Sequence, residues 1–154
     1  MARNIGRAGT RTTGITTAVT FQNLIGATTI DTVVRDISVS YDGTVVTNAP
    51  NDVSVQFNTS AGTAPTSTPV PRKVDARTGT ALIATCNYGI FTVEPTGLAE
   101  AFRWHIHPQT GLLWQGTPFM DEIVLLASAA WLGLKHTTAP AASIDVDAYM
   151  VFEE

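Results

Sequence analysis

Apolar and polar residues alternate along most of this chain with a period of two, the pattern of strands that give one face to a core and the other to solvent or a partner. Phe102, Trp104 and Ile106 fall on one parity and Arg103, His105 and His107 on the other, which predicts a central strand. Pro108-Gln109-Thr110-Gly111 then breaks it with a residue free to take positive φ. Leu112-Leu113-Trp114 follows within hairpin distance. Upstream, Val33, Ile37, Val39 and Tyr41 share a parity that Arg35 interrupts, with Asp36, Ser38 and Ser40 opposite. Asp42-Gly43 predicts a hairpin whose return begins at Val45-Val46. Val53, Val55 and Phe57 form a third alternating run, and Ile144, Val146, Ala148, Met150 and Phe152 a last one. Strands are also expected over 18–25 and, shorter, within 82–93. At 121–136 the period is divided. Ile123, Leu126, Ala127, Ala130 and Leu134 fit a helical stripe, but a strand over 123–126, a tight turn and a strand over 131–137 fit better.

Roughly eight to ten short strands with no firm helix indicate an all-β chain, an antiparallel sandwich or barrel. Its 154 residues suit one domain with one core. Residues 1–17 stand apart, because Arg3, Arg7 and Arg11 recur every fourth position among Gly and Thr with few bulky apolar groups. Such a segment buries little surface of its own. It is expected as an extended arm, laid on its own domain or on a neighbouring subunit, before a single sandwich domain over 18–154. Removing it should leave the fold intact. The Ser/Thr/Pro-rich stretch 59–71, with Pro65, Pro69 and Pro71, is a long loop of the kind that often carries contacts.

Only 14% of residues are charged, against roughly a quarter in ordinary soluble domains, which points to covered surface and hence to partners. A net charge of −4 argues against general nucleic-acid binding. No apolar run approaches the roughly 20 residues of a membrane span, and no secretory leader is visible. Synthesis in a reducing cytoplasm is expected, with the single Cys86 acting as a small buried hydrophobe.

Candidate chemistry centres on His105 and His107, which a strand would place on one face as a metal pair. They resemble the first half of the cupin motif. No carboxylate follows within five residues, however, and His136 is the one other histidine. There is no Gly-x-Ser-x-Gly elbow and no phosphate loop, and Asp145 and Asp147 read as the wet side of a strand. No catalysis, cofactor, metal or small-molecule substrate is expected. Trp114, Trp131, Tyr88, Tyr149 and Phe119 cannot all be placed inward, and aromatics left outside favour interfaces or sugar platforms.

Five strings, Val33–Gly43 with its VVRDISVSYDG sequence, Thr59-Ser60-Ala61-Gly62-Thr63, Glu94-Pro95-Thr96, Arg103-Trp104-His105 through Gly111-Leu112-Leu113-Trp114-Gln115, and Ala148–Glu154, together resemble a group of small β-sandwich proteins found among the head genes of tailed bacteriophages. The resemblance spans about residues 30–154. It implies a jelly-roll homotrimer on the capsid exterior, a decoration or cement protein bridging neighbouring major capsid subunits. Arg3, Arg7, Arg11, Pro65, Pro69 and Pro71 are then the expected contacts. A receptor- or glycan-binding sandwich of a virion fibre and a cupin-like metal protein are the alternatives.

Overall fold

Eleven strands and no helix make up the described part of the chain: β1 (Ile5–Ile15), β2 (Thr20–Ile25), β3 (Thr32–Asp42), β4 (Asn51–Asn58), β5 (Arg72–Lys73), β6 (Thr85–Tyr88), β7 (Gly97–Ile106), β8 (Leu112–Gln115), β9 (Ile123–Leu125), β10 (Trp131–His136) and β11 (Ile144–Glu153). The structure is a computed structural model and describes residues 4–42, 49–64, 71–74, 81–118, 120–127 and 130–154. Two antiparallel sheets form a sandwich. One runs β5-β1-β11-β3-β8, with β9 also on β3; the other runs β6-β2-β10-β4-β7. None of the described elements is a helix long and apolar enough to cross a membrane.

The core follows from the alternation. Every residue on the apolar parity of β11 (Ile144, Val146, Ala148, Met150, Phe152) is buried, against Val34, Ile37 and Val39 of β3 and Phe21, Leu24, Val53, Val55, Leu132 and Leu134 of the other sheet. Each fully buried large side chain contributes roughly 1.5–3 kcal/mol. The Arg35 interruption has a local cause. The register between β3 and β11 shifts at Val151/Phe152, so that Asp36 faces Val151 and Val34 faces Phe152. This bulge inserts Arg35 as an extra residue and changes the phase of the strand, sending Val34 inward as well as Ile37. Arg35 itself reaches Glu153 at 3.0 Å and pairs with Glu122.

Three expectations are corrected. The segment read as an arm is β1, paired with β11 from Ile5↔Glu153 to Ile15↔Ile144. Its low apolar content suits a strand whose inward positions Gly6, Ala8 and Thr12 are small, because the facing Phe152 fills the space: a Cβ on Gly6 would lie 2.4 Å from the Phe152 ring. Next, 108–111 does not close a hairpin. It carries the chain from β7 in one sheet to β8 in the other, with Gly111 at φ 63 as the turn requires. The strand after β3 likewise belongs to the opposite sheet, and the Val45-Val46 return lies outside the described residues. Finally, β7 is an edge strand, not a central one. The strands at 123–125 and 131–136 stand where the period predicted them.

Gly9 marks a close approach of β1 to β11. A Cβ there would sit 2.4 Å from the Tyr149 Cβ and 2.7 Å from the Ala148 carbonyl oxygen. Gly9→Ala is therefore expected to destabilise the fold by roughly 1–3 kcal/mol through overpacking, measured by urea denaturation. An unchanged midpoint would show that the two strands separate freely.

Candidate functional site

The outer face of the six-stranded sheet brings β1, β11 and β3 together in cross-strand rows. One row is Arg11, Asp147 and Ser40; the next is Gly9, Tyr149 and Ser38. Arg7, two residues along β1 from Gly9, lies diagonally from Tyr149 and lays its guanidinium 4.2 Å from the ring centroid, a cation–π contact. Because Gly9 has no side chain and Ser38 and Ser40 are small, the face dips between these rows. The depression is about 350 Å³, with Arg7, Tyr149 and Asp147 among its lining residues. Arg11 is otherwise engaged. It bridges Asp42 at 2.9 Å and Asp145 at 2.8 Å, and Asp145 also accepts the Gly14 N–H at 2.9 Å. The Arg11 hydrogen bond first, then that of Gly14, hold the Asp145 carboxyl below its ordinary range. These groups are solvated, so the pairs add little stability.

Of the other expected contact residues, Arg3, Pro65 and Pro69 lie outside the described residues. Pro71 is buried next to β5 and offers no surface, a correction caused by its position at the start of a strand that joins the sheet.

The three histidines do not converge. His105, on the outward face of β7, pairs with Asp52 of β4. His107 enters the turn, where its Nδ1 accepts the Gln109 N–H at 3.2 Å. His136 points into the core between Phe21 and Tyr41, at centroid distances of 5.2 and 5.8 Å, with neither ring nitrogen hydrogen-bonded among the described residues. Burial lowers its pKa to about 4, opposed by Asp52. No group of three or more His, Cys, Asp or Glu able to hold a metal occurs among the described residues, so the cupin-like alternative loses its ligand set. Cys86 is fully buried and burial pushes its thiol up to about 12, which suits packing rather than nucleophilic attack.

The edge strand β7, paired with β4 alone among the described strands, forms a second candidate surface. Phe102 and Trp104 stack at 5.9 Å, and Trp114 of β8 tilts against Phe102 at 5.3 Å, all three half-buried where the two sheets end. Leu98 on the same strand is 71% exposed. Register shifts at Val55/Gln56 and Phe57/Asn58 bulge the first half of β7, leaving Phe102 to Ile106 in regular register with β4. Of the aromatics that seemed unable to fit inside, Tyr88 is buried, Trp114, Trp131 and Tyr149 are half-buried, and Phe119 lies outside the described residues. Comparison with protein-family models, with curated proteins and with solved structures gives no match.

Proposed function

We propose that this chain is a structural virion protein that decorates a phage capsid, bridging neighbouring major capsid subunits from outside as a homotrimer, without catalysis. The observation that carries the reading is the β7 edge, where a strand that pairs with β4 alone among the described residues, exposed Leu98 and the half-buried Phe102, Trp104 and Trp114 come together. An edge of this kind accepts another chain by strand addition, and half-buried aromatics supply the area that anchors it. The resemblance of residues 30–154 to phage head proteins supports the shell as the partner. The order β1-β11-β3-β8 facing β2-β10-β4-β7, in which successive strands of these eight change sheet except from β4 to β7, supports the jelly-roll reading, an arrangement used by viral capsid and lectin domains alike. Such an analogy adds weight to a shell role but assigns no residue to it. The capsid contacts belong on the β7 edge rather than on an arginine arm.

The test is decoration itself. Purified protein is mixed with heads from a phage lacking the gene, and occupancy is read by co-sedimentation and by imaging. Leu98→Asp, at an exposed position, is expected to keep the melting temperature and cut occupancy at least about tenfold. Heads that stay bare with the parent protein would overturn the decoration reading, and equal occupancy with Leu98→Asp would overturn the edge as its contact. Sedimentation velocity reports whether a trimer forms.

A further inference from the structure

We infer that the depression beside Tyr149 is a binding site for a neutral carbohydrate. The inference concerns the sheet face away from the β7 edge and stands whether or not the chain decorates a capsid. Three observations carry it. First, the site has the size for a small ligand: about 350 Å³, at the lower end of the roughly 300–1,000 Å³ of small-molecule clefts, room for a mono- or disaccharide. Second, its lining combines what a sugar ring requires. Tyr149 in the lining gives an aromatic wall that suits the C–H groups of a pyranose, and Arg7, over one face of its ring, fixes its orientation beforehand and leaves the sugar to pack on the part of the ring that Arg7 does not cover. Asp147 at the other side is exposed, and its carboxylate makes no hydrogen bond among the described residues. A carboxylate with both oxygens free can accept from two neighbouring hydroxyls. Ser38, Ser40 and Thr10 add hydroxyls that donate or accept.

Third, the surroundings exclude the competitors. A peptide strand cannot add here, because β1, β11 and β3 already bond to one another across the site. An anionic ligand such as a phosphate or a sialylated glycan would meet Asp147 with Arg7 alone to offset it, since Arg11 is held by Asp42 and Asp145. A lipid would find too many hydroxyls. Gly9 also takes on a purpose in this setting. Glycine weakens a strand interior and often marks a close approach, and here it lets β1 lie against the Tyr149 Cβ and the Ala148 carbonyl, which seats Tyr149 in the lining of the depression.

The test begins with the full chain on an array of neutral and sialylated oligosaccharides, followed by titration of the best neutral glycan into ¹⁵N-labelled protein. The expected result is binding of neutral glycans, with amide shifts centred on Gly9, Ser38, Ser40 and Tyr149. Tyr149→Ala should weaken it at least tenfold, and Asp147→Asn, which keeps shape and fold, about tenfold. An array on which no neutral glycan binds, shifts that map to another face, or an Asp147→Asn protein that binds like the parent would each overturn the assignment.

Discussion

A chain lacking residues 2–12 is expected to lose cooperative melting. β1 is not an appendage: Gly6 to Thr12 pair residue by residue with β11, placing Ala8 opposite Met150 and Gly6 opposite Phe152. Removing it uncovers two large side chains that are fully buried, each worth roughly 1.5–3 kcal/mol. It also takes away the Ala8 carbonyl that accepts the buried Gln22 amide at 3.0 Å, orphaning a donor at a cost of roughly 1–3 kcal/mol. Asn4 goes with it, and so do its mutual backbone bonds with Glu154 at 2.9 and 3.0 Å. The sum is about 4–9 kcal/mol, comparable with the lower part of a typical domain's whole stability. Circular dichroism melts and a ¹H–¹⁵N correlation spectrum check it. A truncated protein with dispersed resonances and a sharp transition within a few degrees of the parent would mean that the first strand is dispensable, as a true arm would be.

What the sequence allowed to be read, and what it hid, divides by whether the information was local. Alternation is local, so β3, β4, β7 and β11 stood out, as did the inward set Phe102, Trp104 and Ile106. Pairing is not local. Nothing in Asp42-Gly43 or in Pro108–Gly111 distinguishes a turn that returns within one sheet from one that crosses to the other, and here the described 108–111 turn crosses. β1 was missed for a related reason. Its inward residues are small because Phe152 and Gln22 occupy the space opposite, and a strand whose apolar content is supplied by its partner carries no hydrophobic pattern of its own.

The outer-face site shows the same division. Tyr149 and Asp147 were legible as the wet side of the last strand, and Arg7 and Arg11 as a spaced basic set. That they share one surface with Ser38 and Ser40 depends on β11 lying between β1 and β3, which no spacing reveals. One available signal was Gly9 between Arg7 and Arg11: glycine inside a strand marks a close approach, although Gly6 and Gly14 share the run.

Acid is expected to weaken this fold through His136, and His136→Leu to remove much of that weakness. The imidazole is fully buried between Phe21 and Tyr41 with both nitrogens unpartnered among the described residues, so the charged form is penalised and the pKa falls from 6.5 to about 4. Above pH 6.5 folded and unfolded chains both carry a neutral ring and the group has no pH dependence. Between 6.5 and 4 the unfolded chain binds a proton that the folded chain refuses, and stability drops by up to about 1.4 kcal/mol per pH unit. The loss approaches about 3 kcal/mol at pH 4, on the order of 10 °C in melting temperature for a chain of this size. Asp52, which favours the protonated ring, tempers the effect but is itself paired with His105. Leu at 136 preserves the packing and carries no proton, so its stability at pH 7 should stay within about 1 kcal/mol of the parent while its decline toward pH 4 is shallower by the amount above. Carboxylates titrate in both proteins and cancel in the difference. Denaturant midpoints taken every half pH unit from 7.5 to 4 measure that difference, and two parallel curves would show that His136 finds a way to accept its proton within the folded core.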